Sequence, residues 1–360
     1  MSGSSVVFSA PGKVVLIGEY AVLENGAAYV RAVDVRARVR IDSHASKHLL
    51  EAPDINVAEI EFEATAGRKP IWRRSDGNLQ APRELDLAGT VLADVLARST
   101  PPPCRIRLDT SAFFAELGRG GRTKIGLGSS AALTVALDAA IHVWTWGPEH
   151  GGKHEDQTTV LTRLQALHTG HQGGRGSGLD IAASLCGGTF VYRRGESHPK
   201  IAPLPLPDGL EFLCVWTGRS SSTGGFLERL AAWRRRNERA YERFMNDLAH
   251  LSDQGIDAAS RGDADRFCAT VSDYRRLLDG LGSAASLPIV SPVHRRLEHL
   301  ATKNGVTYKP SGAGGGDIGI AFAADPRGAQ RFRDAASNEG FLVLSCPEAP
   351  AGLRREAETT

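Results

Sequence analysis

The sequence predicts an α+β protein, and three patterns support that class. Residues 33–41 (VDVRARVRI) alternate apolar and charged side chains, as a half-exposed strand does. Residues 124–137 (KIGLGSSAALTVAL) read as a glycine turn that opens a buried helix. From Gly225 onward the chain is mainly helical, with a few strands between the helices. The order therefore favours a β-rich half that carries a phosphate loop, followed by a helical half with few strands.

The glycine turn is the most informative stretch for function. Gly126 and Gly128 lack a Cβ, so the backbone can adopt positive φ and approach a ligand closely. Ser129 or Ser130 is predicted to cap the helix 131–144, whose free N–H groups and partial positive charge suit a phosphate. A serine hydroxyl there is also a suitable ligand for Mg²⁺ carried by a nucleotide. The alternative is a tight turn that only caps a core helix.

Composition excludes several classes of protein. The chain has 360 residues, enough for two domains, and 43 basic against 41 acidic side chains. A net charge of +2 argues against a nucleic-acid binder that works by bulk charge. Five scattered cysteines predict reduced thiols, and the sequence MSGSSVVFSAPGK has no signal-peptide pattern. No run approaches roughly 18 apolar residues, so we expect a cytoplasmic protein with no membrane partner.

Other local patterns predict the remaining elements and the domain boundaries. A turn at 10–13 is expected between strands at 6–8 and 14–17, and Glu24-Asn25-Gly26 is typical of a hairpin. The proline-rich stretch 199–207 is typical of a linker. It predicts domains at 1–198 and 208–350, followed by a disordered tail at 351–360. Further predicted strands are 105–108, 189–193, 211–217, 306–309, 318–323 and 341–344, and further predicted helices are 85–98, 158–171 and 327–338.

A second glycine-rich segment, HQGGRGSGLDIAASLCGG at 171–188, carries a carboxylate directly after its loop. Asp180 is either a chemically active group or an ordinary acid in the first turn of a helix. His168 and His171 are spaced for one helix face, but no third ligand is evident, so no metal site is expected there.

Three segments then share one explanation. APGKVVLIGEYAVL (10–23), KIGLGSSAAL (124–133) and KPSGAGGGDIGIAF (309–322) resemble the three signature segments of the GHMP kinases, in the family's order. The resemblance spans nearly the whole chain. It implies a two-domain fold with an N-terminal β-rich ATP-binding half and a C-terminal ferredoxin-like half. ATP and acceptor would meet in the cleft between the halves.

Within that family, GSGLDIAASLCGG (176–188) and VWTGRSSST (215–223) resemble phosphomevalonate kinases more than mevalonate kinases. The metal-binding glutamate of mevalonate kinases would fall near Thr169 and is missing. One departure is Gly174, with Arg175 beside it, where members usually carry a lysine. The resemblance implies ATP- and Mg²⁺-dependent phosphorylation of phosphomevalonate by a monomer or homodimer. Mevalonate kinase, another small-molecule kinase of this fold, and a catalytically silent ligand-binding relative remain alternatives.

The resemblance also implies roles for individual residues. Lys13 would bridge the acceptor and the γ-phosphate, and Ser130 would help to hold Mg²⁺. Asp180 would hold Lys13, orient the acceptor, or take a proton from the acceptor's monoanion. The expected ATP contacts are Gly126, Leu127, Gly128, Ser129, Ser130 and Ala131. The expected acceptor contacts are Lys13, Glu19, Tyr20, Arg175, Ser177, Gly178, Arg219, Ser221, Ser222, Ser311 and Asp317.

Overall fold

The structure, a computed structural model, describes residues 5–24, 26–73, 82–117, 121–148, 156–174, 176–196, 198–221 and 223–357. Two main sheets and the helices that pack on them form the fold. The strands are β1 (Ser5–Ile17), β2 (Ala27–Ser43), β3 (His48–Ala52), β4 (Val57–Glu63), β5 (Ile71–Arg73), β6 (Cys104–Asp109), β7 (Phe114–Leu117), β8 (Gly121–Lys124), β9 (Thr189–Arg193), β10 (Lys200–Pro203), β11 (Glu211–Trp216), β12 (Thr307–Ser311), β13 (Ile318–Ala323), β14 (Leu342–Leu344) and β15 (Arg354–Arg355). The helices are α1 (Asp86–Leu96), α2 (Ser129–Trp146), α3 (Gln157–His171), α4 (Leu179–Cys186), α5 (Thr223–Arg234), α6 (Glu238–Ser260), α7 (Ala264–Ala284), α8 (Pro292–Lys303) and α9 (Pro326–Asn338).

The larger sheet belongs to the N-terminal half and has the order β10-β9-β2-β6-β3-β4-β5. β1 lies antiparallel beside β2 and also pairs with β15. The predicted alternation at 33–41 is confirmed, because the apolar side chains face the core while Asp34, Arg38 and Arg40 are exposed. Arg36 is the exception and is buried. α2 packs against β1 and β2, so the glycine turn that precedes it is anchored on the centre of the fold.

The smaller sheet is antiparallel throughout and has the order β12-β13-β11-β14. α5 to α8 connect β11 to β12, and α9 connects β13 to β14. This β-α-β-β-α-β arrangement is ferredoxin-like, so the expected fold class is confirmed. Within the described residues, the structure contains no helix that is both long and apolar enough to span a membrane.

The predicted turn at 10–13 is wrong. β1 runs through it, with a bulge between Pro11 and Gly12 that shifts the register against β2. Pro11 lacks an N–H, and a bulge tolerates that loss. Gly12 is required because a Cβ there would lie 2.5 Å from the Leu127 carbonyl oxygen. The close approach lets the Lys13 N–H donate to that carbonyl at 2.8 Å, which places Lys13 beside the glycine turn.

Two further expectations were wrong in part. The proline-rich stretch 199–207 is not only a linker, because β10 forms within it and pairs with β9. The tail is ordered from 351 to 357, while residues 358–360 lie outside the described residues. β15 pairs with β1, and the buried Arg36 guanidinium donates to the carbonyls of Ala351 and Gly352. The sequence did not reveal these long-range bonds. Asn25, at the centre of the expected hairpin, also lies outside the described residues.

Candidate active site

A cavity of about 310 Å³ is lined by residues from three glycine-rich segments, which are, in chain order, 124–137, 171–188 and 309–322. β1 contributes to one wall, α2 and α4 begin at the cavity, and the loops around 220 and 312–317 contribute from the C-terminal half. The predicted site residues that line it are Lys13, Glu19, Tyr20, Gly126, Gly128, Ser129, Ser130, Ser177, Gly178, Asp180, Ser221 and Asp317. Residues distant in sequence therefore share one site, as the resemblance implied.

The remaining predicted residues lie elsewhere. The side chains of Leu127 and Ala131 are buried in the core. Ser311 is also buried. Its hydroxyl donates to the Val15 carbonyl at 3.0 Å and accepts from the Val15 N–H at 2.9 Å. Arg219 is exposed and contributes its carbonyl as an acceptor for the Asp317 N–H. Within the described residues, these four do not line the cavity. Arg175 and Ser222 lie outside the described residues.

The start of α2 differs from the predicted cap. The N-cap residue is Gly128, with φ +85°, and no side chain caps the helix. Ser129 and Ser130 are instead the first two helical residues. Uncapped N–H groups at a helix N-terminus can bind an anion, and the helix dipole favours negative charge there. The Lys13 side chain runs along this turn, since a Cβ at Gly128 would lie 3.4 Å from its Cγ.

Gly126 makes the contact between the glycine turn and the C-terminal half. Its φ is +78°, and a Cβ built there would lie 2.3 Å from the Cβ of Asp317. Asp317 itself adopts φ +55°, and its Oδ1 accepts from the Ser221 N–H at 3.1 Å. Burial raises the pKa of the Asp317 carboxyl, and the nearby charge of Lys13 opposes that shift. The third glycine-rich segment therefore closes directly on the first.

The second glycine-rich segment is held from behind by side-chain hydrogen bonds. Tyr192 donates its hydroxyl proton to the Ser177 carbonyl at 2.7 Å, and Gln165 Nε2 donates to the Gly178 carbonyl at 2.9 Å. Gly178 adopts φ +76° and is the N-cap of α4. α4 thus begins at the cavity, with Asp180 in its first turn and 22% of that side chain exposed.

Glu19 and Tyr20 fix the cavity wall to the C-terminal half. The buried Glu19 carboxylate pairs with the fully buried Lys309 ammonium, and its Oε1 also accepts from the Gly312 N–H at 3.3 Å. Tyr20 donates its hydroxyl proton to the Ala313 carbonyl at 2.6 Å. Glu19 Oε2 is buried and has no hydrogen-bond partner among the described residues. It can therefore accept a hydrogen bond from a ligand hydroxyl.

Sequence reasoning missed several cavity residues. Lys124 stands directly before the glycine turn and is exposed at the cavity. The available signal for Lys124 was its position directly before the glycine turn, where a cation can reach a bound phosphate. His168 and Thr169 lie in the last turns of α3, and Gln172 is the C-cap residue of that helix. His168 is 1% exposed. The helix pattern does not distinguish these three from core or surface residues. The available signal was the resemblance, which puts the metal-binding glutamate of mevalonate kinases near Thr169 and finds His168 and Gln172 similar to phosphomevalonate kinases.

Comparison with known proteins identifies the family. The model for the GHMP kinases N terminal domain matches residues 90–188. The phosphomevalonate kinase of Streptomyces sp. (strain CL190) is 30% identical, over 97% of this chain and 98% of that relative. The chain belongs to the GHMP kinase family.

Other GHMP kinases match at lower identity. The mevalonate kinase of Aeropyrum pernix is 25% identical, over 86% of this chain and 85% of the relative. The solved structure of Streptococcus pneumoniae phosphomevalonate kinase in complex with phosphomevalonate and AMPPNP is 18% identical and has a TM-score of 0.73. That match covers 97% of this chain and 100% of the other. It shows the GHMP kinase fold over the full length.

Proposed function

We propose that this GHMP kinase transfers the γ-phosphoryl group of ATP to the phosphate of (R)-5-phosphomevalonate, giving ADP and (R)-5-diphosphomevalonate. One observation carries the choice of acceptor. The chain is 30% identical to a phosphomevalonate kinase over nearly the full length of both proteins. The cavity supports a kinase reaction, because it gathers a phosphate-binding helix start, two lysines and a carboxylate.

The nucleotide phosphates are assigned to the start of α2. The uncapped N–H groups after Gly128 face the cavity, and Lys13 and Lys124 supply positive charge beside them. Phosphoryl transfer depends mainly on positioning and charge neutralisation, which these groups provide. Ser130 lines the cavity, and its hydroxyl would supply one oxygen ligand for Mg²⁺ that the nucleotide phosphates also hold. Bound with the nucleotide, Mg²⁺ would neutralise charge on the β- and γ-phosphates.

The acceptor is assigned to the start of α4. Ser177, Gly178 and the helix N-terminus would bind the acceptor phosphate, and Glu19 Oε2 would accept from a hydroxyl of its carbon chain. The second pKa of an acceptor phosphate is about 6, so the phosphate is largely a dianion at neutral pH. An oxygen of that dianion forms the new P–O bond while the bond to ADP breaks, and no proton needs to be removed. From the monoanion, the single proton would pass to Asp180.

Phosphorylation of mevalonate is the second candidate. The similarity to the Aeropyrum pernix mevalonate kinase favours it, and so does a carboxylate in the cavity, because a hydroxyl nucleophile needs a base. Thr169 argues against it. That residue lines the cavity at the position where the resemblance expects the metal-binding glutamate of mevalonate kinases, and a threonine supplies no charge.

The experiment is ADP release from Mg²⁺-ATP with mevalonate, 5-phosphomevalonate and 5-diphosphomevalonate as separate acceptors. Lys13→Ala, purified in parallel, serves as the blank for contaminating kinases. We expect turnover with 5-phosphomevalonate alone. Turnover with mevalonate alone would replace the proposal with the second candidate. Tight nucleotide binding without turnover on any of the three would identify a silent relative.

A further inference from the structure

His168 connects the two cavity residues whose roles depend on orientation. It lies on α3 and is 1% exposed. Its Nε2 is 3.1 Å from Ser130 Oγ on α2, and its Nδ1 is 3.7 Å from Asp180 Oδ2 on α4. One buried ring therefore spans the gap between the starts of the two helices that the proposed reaction uses for nucleotide and acceptor.

The contacts around the ring favour one tautomer. The amide nitrogen Nε2 of Gln172 lies 3.4 Å from His168 Nε2. In the present orientation of the Gln172 amide, its NH₂ faces this ring nitrogen and can only donate, which favours the tautomer with an unprotonated Nε2 and the proton on Nδ1. The Nδ1–H then faces the Asp180 carboxylate, which can only accept. At 3.7 Å that contact is longer than a hydrogen bond, so the attraction is electrostatic.

That tautomer also orients the Ser130 hydroxyl. A serine hydroxyl has one proton and two lone pairs, and its rotor is otherwise free. Nε2 has one lone pair, and Ser130 Oγ at 3.1 Å is nearer to it than the Gln172 amide at 3.4 Å, so Ser130 is the main donor. The lone pairs of Ser130 Oγ then turn away from the ring. They can then face a cation at the start of α2.

We propose that His168 is a positioning residue for the transfer reaction, which rests on the proposed function of the cavity. Its Nε2 accepts the Ser130 proton and orients that hydroxyl toward nucleotide-bound Mg²⁺. Its Nδ1–H holds the Asp180 carboxylate in the direction of the acceptor. One side chain thereby couples metal binding at α2 to acceptor orientation at α4. Partners that orient metal ligands typically change metal affinity or activity by about 10–100-fold when removed.

Three variants separate the two contacts. His168→Gln keeps an acceptor near the Nε2 position, His168→Asn keeps a donor near the Nδ1 position, and His168→Leu removes both. We expect His168→Leu to raise the Mg²⁺ concentration for half-maximal rate about tenfold and to lower kcat about tenfold. His168→Gln should restore Mg²⁺ activation but not kcat, and His168→Asn should do the reverse. The proposal would be overturned if, in all three variants, activity falls only in step with the stability measured by the urea midpoint while Mg²⁺ activation stays unchanged.

A second measurement needs neither activity nor an acceptor. ¹⁵N NMR of histidine-labelled full-length protein near neutral pH reports the tautomer of each ring, and His168→Gln assigns the His168 signals. We expect the Nδ1–H tautomer, with an Nε2 shift that moves in Ser130→Ala. An Nε2–H tautomer or an imidazolium would refute the inference whatever the acceptor is. The Nδ1–H tautomer without turnover on 5-phosphomevalonate would reject the proposed function alone.

Discussion

Gly126→Ala tests how closely the first and third glycine-rich segments pack. An alanine at φ +78° costs about 1–2 kcal/mol in backbone strain. Its Cβ would also lie 2.3 Å from Asp317 Cβ and 2.5 Å from Asp317 Cγ. A Cβ cannot rotate away, so the backbone of one segment must move, and overpacking of this kind adds about 1–3 kcal/mol. We expect a total loss of about 2–5 kcal/mol in the free energy of unfolding.

The matched control is Gly340→Ala. Gly340 has φ +83° and nothing within 4 Å of an added Cβ, so it carries only the backbone strain of about 1–2 kcal/mol. The second control is the double variant Gly126→Ala/Asp317→Gly, which removes the opposing Cβ. Asp317 adopts φ +55°, a conformation that glycine accepts readily. The double variant should therefore recover about 1–3 kcal/mol relative to the sum of the two single variants.

The assay is equilibrium urea unfolding followed by far-ultraviolet circular dichroism, with midpoints compared at equal slope. The reasoning is refuted if Gly126→Ala costs no more than Gly340→Ala. It is also refuted if the effects of Gly126→Ala and Asp317→Gly simply add. Either result would mean that the two segments do not press on each other.

The remaining predictions concern charge. Lys13→Ala should lower kcat by about 10²–10³-fold with an unchanged urea midpoint, because it removes a cation beside the developing charge; an unchanged kcat in the ADP-release assay would contradict this role. Asp180→Asn should cause a modest loss with 5-phosphomevalonate that shrinks as the pH rises through about 6, whereas a large loss at every pH would make Asp180 an essential base. Lys309→Met should lower the free energy of unfolding in urea by about 3–5 kcal/mol, because it leaves the Glu19 carboxylate buried without a cation. Adding Glu19→Gln should recover part of that loss. Equal stability of the single and double variants would count against a buried ion pair. Burial lowers the pKa of His294 from 6.5 to about 4, so between these pH values the unfolded chain binds a proton that the folded protein does not. The free energy of unfolding should therefore fall by about 3 kcal/mol as the pH drops from 6.5 to about 4. The same pH dependence of the urea midpoint in His294→Asn would disprove this role of His294.

The loop and helix chemistry could be predicted from the sequence because it is local. The glycines at 126 and 128, the apolar run of α2 and the alternation along β2 all follow from backbone conformation and side-chain period. The resemblance of three segments in order then indicated the family and the fold class, and twelve of the predicted site residues line the cavity. The predicted roles of those residues, including Lys13 and Asp180, stay predictions.

The sequence alone thus indicated the family, the glycine-rich segments and many of the helices and strands, because those signals lie within a few residues of each other. Only the tertiary structure decided how distant groups meet. Ser311 bonds to β1 instead of facing the cavity, and β15 is ordered by pairing with β1. His168 reaches both Ser130 and Asp180 only because α3 packs beside the starts of α2 and α4. A hydrogen bond or a clash depends on distances of a few tenths of an ångström between separate elements, and side-chain period carries no such information.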